Sequence, residues 1–448
     1  MSISDWHPAS WKTKPLRQWM EYPDPEALER EVAHLASFPP LVTSGEIEEL
    51  HAQLRAAEEG RYFVLQGGDC SETFEACHSD IITRKVKILL LMSYILIYGL
   101  DKRVIRIGRI AGQYAKPRSS NTETRNGITL PSYRGPMINR PDFTLEARTP
   151  DPVNLRRAYS CAAMTMNFLR SLIDGGLGDM HHPEYWELDF VNLAEQSREY
   201  RQIFQAIESS IRFMEVIAGR IDGQAQTKFF CSHEGLHLPY EMAHTRQVPR
   251  RHGYYNLTTH MPWIGDRTRG IDGAHIEYFR GIANPIGMKV GPSMQPDELI
   301  ELTKILNPNN IKGRLCLIHR FGASKIAECL PPLAEAIRLA RRNVLWISDP
   351  MHGNTQTTAD GIKTRSFDDI LSELCQSFII LEQEGTHLGG IHVELTGENV
   401  TECMGGARGL TADDLHRDYQ SDVDPRLNYE QAMEMALLLA TRQASRRR

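Results

Sequence analysis

From about residue 60 onward, short β-branched or aromatic runs alternate with longer stretches of helical period. The runs fall near 61–67, 103–108, 228–232, 260–264, 286–291, 315–319, 344–348 and 389–395, and each ends in polar, glycine-rich residues. Strands alternating with helices make βα units whose strands pair in parallel. Eight such units predict a closed (β/α)8 barrel, an α/β fold. A doubly wound sheet is the alternative. No Gly-x-Gly-x-x-Gly follows the first run, which counts against a dinucleotide-binding version of it.

One interval is out of step. Between the second and third runs, Asp151 to Asp174 has helical periodicity and Asn192 to Arg220 has room for one or two further helices. A helical insertion over 151–222 is therefore expected on the barrel, which itself spans 56–448. Residues 1–55 form an N-terminal extension. Asp24 with Pro25 behind it, and Thr43 with Glu46 three residues on, are start signals for helices over 24–37 and 45–57. Trp6, Trp11 and Trp19 alternate with prolines and basic residues, as in a segment laid over a surface. Packing is their expected use and a subunit contact the alternative.

Composition narrows the class. The chain has 448 residues, 41% apolar and 24% charged, with a net charge of −6. That balance is ordinary for a globular protein and unlike a nucleic-acid binder. Eight cysteines are scattered without a Cys-x-x-Cys pair, which points to a reducing compartment and unpaired thiols. Met1 to Trp19 lacks the apolar core of a secretory signal. The most apolar segment, Ile88 to Leu100, is shorter than the roughly 20 residues a bilayer span needs, so a buried helix is expected there. A cytoplasmic protein with no membrane or nucleic-acid partner follows as the expectation.

Barrel enzymes carry their chemistry at the C-terminal ends of the strands. Two populations of side chains stand there. Arg109, Lys116, Arg118, Arg267, Lys289 and Arg320 are cations, suited to phosphate and carboxylate. Each taken singly reads as a surface or salt-bridged residue; together on one rim they predict an anionic, phosphorylated substrate. Cys70, His352, Glu394 and Asp424 are one soft and three harder donors, which suggests a divalent metal if the fold unites them. In the last run, His392 and Glu394 share the side opposite Ile391, Val393 and Leu395. A polar side facing a barrel interior needs partners, either a metal or the arginines.

Several of these stretches resemble the type II (plant-like) 3-deoxy-D-arabino-heptulosonate 7-phosphate (DAHP) synthases: GGDC at 67–70, GRIAGQYAKPRS at 108–119, HMPWIGDRTR at 260–269, KVGPS at 289–293, SDPMHGNT at 348–355 and HVELTGENVTEC at 392–403. The likeness runs from Trp6 through the segment at Asp424. It implies a (β/α)8 barrel that condenses phosphoenolpyruvate with erythrose 4-phosphate and water, giving DAHP and phosphate, the first step of the shikimate pathway. It also implies metal ligands at Cys70, His352, Glu394 and Asp424, holding Mn²⁺ or Co²⁺, with Zn²⁺ as a further choice. Phosphoenolpyruvate contacts are implied at Arg109, Trp263, Asp266, Arg267, Lys289 and Arg320, and an erythrose 4-phosphate loop at Lys116, Pro117, Arg118 and Ser119. Lys289 or His352 is the expected proton carrier. The family pattern favours Glu at position 266, where this chain has the shorter Asp. Family members are feedback-inhibited by aromatic amino acids, form homo-oligomers such as dimers or tetramers, and associate with chorismate mutase; the resemblance extends these expectations here. A different metal-dependent barrel lyase or aldolase, and a regulatory subunit, are the competing readings.

Overall fold

The computed structural model describes residues 6–177 and 228–446. Its main sheet has eight parallel strands, one at each predicted run: β1 (Tyr62–Gly68), β2 (Arg103–Arg109), β3 (Phe229–Cys231), β4 (Trp263–Ile264), β5 (Ile286–Val290), β6 (Leu315–His319), β7 (Leu345–Ser348) and β8 (Leu388–Glu394). The spatial order is β3-β2-β1-β8-β7-β6-β5-β4. The two ends meet: Trp263 N–H donates to His233 O at 3.0 Å and Gly235 N–H donates to Trp263 O at 3.0 Å. The sheet is thus a (β/α)8 barrel, and a doubly wound sheet is excluded by this closure.

The helices begin where the sequence placed their caps. α1 (Pro25–Ala36) starts with the Asp24 carboxylate accepting from Ala27 N–H. α2 (Ser44–Glu58) carries a full capping box between Thr43 and Glu46. α2 is more than a surface segment. Its Leu50, Leu54 and Ala57 join Val64, Ile105, Ile107, Phe230, Ile318 and Ile347 in the interior, sealing the N-terminal floor. A fully buried leucine contributes about 1.5–3 kcal/mol, so this plug is part of the core. Trp6 and Trp11 are buried, and Trp6 Nε1 donates to Glu277 O at 2.7 Å; packing is their use within the chain.

The apolar segment at Ile88–Leu100 lies in α3 (Ser79–Leu100), a buried helix packed on α5 (Tyr429–Arg446). Gly99 allows this approach, since a Cβ there would sit 2.2 Å from the Ala440 Cα. No helix among the described residues is long and apolar enough to cross a membrane. Between β2 and β3 come an antiparallel hairpin (Thr122–Arg125 with Ile128–Pro131) and α4 (Val153–Asp174). The expected helices in Asn192–Arg220 lie outside the described residues. All eight cysteines are unpaired.

Register sets the level of the functional side chains. β1 pairs with β2 so that Gly68 lies beside Arg109, and with β8 so that Gly68 lies beside Glu394. Gly68 has φ +144°, and a Cβ there would come within 2.6 Å of Arg109 O. Only glycine fits between these two strand ends.

Candidate active site and metal centre

Just beyond β1, Cys70 is buried beneath the C-terminal mouth. Its thiol, the Glu394 carboxylate from the end of β8 and the Asp424 carboxylate from a later loop lie within 4.8 Å of one another. Cys70 Sγ faces Asp424 Oδ2 at 3.7 Å. The Lys116 ammonium sits among all three, donating to Cys70 Sγ, to Asp424 Oδ2 at 2.9 Å and to Glu394 Oε1 at 3.3 Å. His352, the fourth expected donor, stands beside this group rather than within it. Its Nε2 is 3.1 Å from Glu394 Oε1, and its Nδ1 meets Asp349 Oδ2 at 2.7 Å.

Electrostatics explains why a cation belongs here. Burial pushes the Cys70 thiol up, and the neighbouring Glu394 carboxylate adds to this. Burial also opposes ionisation of Asp424 and Glu394. For Asp424 the Lys116 ammonium reverses that effect, and for Glu394 His352, Lys116 and Arg365 do, so both carboxyls are held below their usual range. The same three donors raise Lys116 against its own burial. A thiolate with carboxylates and an imidazole suits a divalent transition metal or zinc better than magnesium or calcium. The donor set fits such an ion.

Remote contacts hold the donors in place. Arg109 donates to Asp69 O at 2.9 Å, Cys70 O at 3.1 Å and Glu394 Oε1 at 2.9 Å, bracing two donors at once. Arg365 pairs with Glu394 Oε2 at 2.8 Å. The Asp424 loop is fixed by Glu402, which accepts from Gln420 N–H, Ser421 N–H and Arg426, while Arg426 also reaches Asp69 Oδ1 at 2.8 Å.

Above the donors opens a cleft of about 310 Å³. It is lined by all six predicted cations, by Pro117, Ser119, Trp263, Asp266, His352 and Asp424, and by Glu234 and Lys363. Thus every expected site residue lines the cleft except Cys70 and Glu394, which lie at its base. Five of the six cations have carboxylate partners. Arg109 and Lys116 meet Glu394, Lys289 meets Asp349, Arg118 meets Glu123 at 3.0 Å, and Arg320 meets Asp266 at 3.2 Å. Arg320 also donates to His352 O at 2.9 Å. Arg267 is exposed and donates to the Ser119 hydroxyl at 2.8 Å; among the described residues no carboxylate pairs with it. Trp263 lies under Arg109 and Lys289, its ring centroid 5.2 and 6.0 Å from their charged ends. Burial lowers Lys289 to about 8, despite Asp349.

Asp266, the shorter acid at that position, bridges two arginines. One carboxylate serves Arg320 and also Arg269, at 3.2 and 3.0 Å.

Glu234 was passed over in the sequence. It follows β3 in the stretch Ser232-His233-Glu234-Gly235, so its place at a strand end was the available signal. Burial raises it to about 7, and its Oε1 is buried without a hydrogen-bond partner in a cleft that also holds Lys116 and Lys289. Lys363, on the strand Lys363–Arg365, meets Asp424 Oδ1 at 3.2 Å, and no local pattern marks it.

The fold and this donor cluster define a (β/α)8 enzyme with a candidate divalent-metal site at the base of a cation-rimmed cleft. The chain belongs to the class-II DAHP synthetase family, whose model matches residues 6–440. It is 46% identical over 452 aligned residues to the phospho-2-dehydro-3-deoxyheptonate aldolase of Neurospora crassa, covering 97% of this chain and 94% of the relative. It is likewise 46% identical over 432 residues to the protein of that name from Streptomyces coelicolor, covering 96% of each.

Proposed function

We infer that the chain is a DAHP synthase, a transferase that condenses phosphoenolpyruvate with erythrose 4-phosphate and water to give DAHP and phosphate. The observation that carries this is the thiol–carboxylate cluster at the base of a cleft lined by six cations, in a chain of this family.

Residue roles follow from position. Lys289, Arg320, Arg109 and Arg267, with Trp263 beneath and Asp266 steering Arg320, hold the phosphate and carboxylate of phosphoenolpyruvate. Lys116, Pro117, Arg118 and Ser119 receive erythrose 4-phosphate. Cys70, Glu394, Asp424 and the adjacent His352 hold a divalent ion, Mn²⁺ or Co²⁺ in preference to Zn²⁺. When bound, that ion supplies a Lewis acid for the aldehyde carbonyl. To free these donors for an ion, the Lys116 ammonium would have to withdraw from all three.

The methylene carbon of phosphoenolpyruvate forms the new C–C bond to the aldehyde carbon. Water adds at the phosphate-bearing carbon, and the C–O bond to phosphate breaks. Glu234, with an unpartnered oxygen and a pKa near neutrality, is placed to take the proton from that water. Lys289 or His352 supplies the proton that the aldehyde oxygen takes up as it becomes a hydroxyl. Holding two anions in one cleft is chiefly proximity catalysis.

Purified protein should release inorganic phosphate only when both substrates and Mn²⁺ are present, and lose that activity on chelation. Folded protein that releases none would sink the reading. A homo-oligomer, dimer or tetramer, in the cytoplasm accompanies this reading. So do feedback by aromatic amino acids and association with chorismate mutase. The division into an extension (1–55) and a barrel (56–448) with its 151–222 insertion is proposed as the domain plan.

A further inference from the structure

Through Gln18 the N-terminal extension touches the Lys116–Asn121 loop that borders the cleft. Gln18 Oε1 accepts from Arg118 N–H at 2.8 Å and from Arg134 Nη1 at 2.6 Å. Arg134 is fully buried and brackets the Lys116–Asn121 loop. Its carbonyl accepts from Lys116 N–H at 2.9 Å, and its guanidinium donates to Asn121 Oδ1 at 2.6 Å. Gln18 therefore ties the middle of the loop to the residue that clasps both its ends.

Two features set Gln18 apart from an incidental surface contact. Its backbone is left-handed, φ +62°, which a residue with a Cβ adopts at a cost. The conformation is pinned on both sides: Pro15 O accepts from Ala274 N–H at 3.0 Å, and Trp19 and Tyr22 pack on His237. The second feature is charge. Arg118, Arg134 and Arg267 lie close enough that the other two depress Arg134 further than its burial does alone, and among the described residues no carboxylate pairs with Arg134. A glutamine satisfies this buried guanidinium without subtracting positive charge beside the loop.

We propose that Gln18 is a positioning residue that presents the Lys116–Ser119 backbone and its cations to the phosphate of the sugar substrate. This rests on the reading of that loop as the erythrose 4-phosphate site. It makes the extension part of sugar-phosphate recognition.

Steady-state kinetics of the full chain, with saturating Mn²⁺, test this. Gln18→Ala should raise KM for erythrose 4-phosphate about tenfold, the effect of losing a hydrogen bond to a charged partner. KM for phosphoenolpyruvate and kcat should stay within about twofold, a split that general loosening of the fold would not give. Gln18→Gly relieves the left-handed strain but also lacks the acceptor, so it should fold at least as well as Gln18→Ala and show the same raised KM. Gln18→Glu keeps both acceptor contacts while adding a negative charge, so its KM should lie between. Arg118→Ala reports on the loop itself. If it raises KM for erythrose 4-phosphate while Gln18→Ala and Gln18→Gly do not, the role of Gln18 is overturned. Equal rises in KM for both substrates in the Gln18 variants also overturn it. If Arg118→Ala leaves erythrose 4-phosphate use unchanged, the reading of the loop falls and the proposal with it.

Discussion

At the floor of the barrel, Leu50, Leu54 and Ala57 of α2 meet Val64, Ile105 and Ile347 in a buried apolar cluster. At the other end of the barrel stand Arg109, His392 and Glu394, all buried and tied by hydrogen bonds and ion pairs. The floor holds the barrel together through area removed from water. The mouth sets charges in a low-dielectric site, where each would be costly if its partners were lost. A change at the floor should therefore cost stability and spare the chemistry of the folded fraction, whereas a change at the mouth should do the reverse when it leaves the ion pairs intact.

The largest effect is expected from Cys70→Ser, which swaps one proposed metal donor at nearly constant volume. Activity should fall by at least about a hundredfold and Mn²⁺ affinity should drop, with the melting temperature close to that of the unaltered protein. Full activity in metal-replete buffer would remove the thiol from the ligand set. Next comes Leu54→Ala at the floor. It should destabilise by about 2–5 kcal/mol in denaturant titrations, while kcat per folded molecule changes little. A kcat loss matching that of Cys70→Ser would erase the distinction between the two ends.

A smaller effect is expected from Arg320→Ala. It removes a cleft cation and leaves Asp266 with Arg269 as its partner, so KM for phosphoenolpyruvate should rise about tenfold or more. Unchanged KM and kcat would contradict its role.

The mildest perturbation is pH. Glu234 is raised to about 7 by burial and must be ionised to accept a proton, so kcat/KM for phosphoenolpyruvate should climb as pH rises through 7. Lys289 is lowered to about 8 by burial and must be charged to hold an anion, so kcat/KM should fall above about 8. Glu234→Gln should abolish the acid limb. A profile flat from about pH 6 to about pH 9.5 would exclude both assignments.

The floor was more legible than the mouth. Cap signals at Asp24 and at Thr43–Glu46, and the helical period that follows them, depend on neighbours within a few residues, and the structure repeats them. The eight strand runs were legible for the same reason. The plugging of the floor by α2 was not, because nothing local says that Leu50 and Leu54 face Val64 and Ile347 rather than a surface groove. At the mouth, Cys70, Lys289 and Glu394 stood out by lying at strand ends. Glu234 stood in the same kind of place without a motif to mark it. Lys363, Glu402 and Arg426 act through partners far along the chain, and no spacing announces such pairs.

By itself the chain determined its periodicities, its caps and the residues at each strand end, since those follow from backbone geometry and near-neighbour chemistry. It also carried the motif stretches that place it in its family. Only the tertiary structure decided that Cys70, Glu394 and Asp424 meet around the Lys116 ammonium while His352 stands beside them. Closure of the barrel and the strand register bring Arg109 and Glu394 to either side of Gly68. Distances across a closed sheet depend on every strand between, so no segment of the chain encodes them alone.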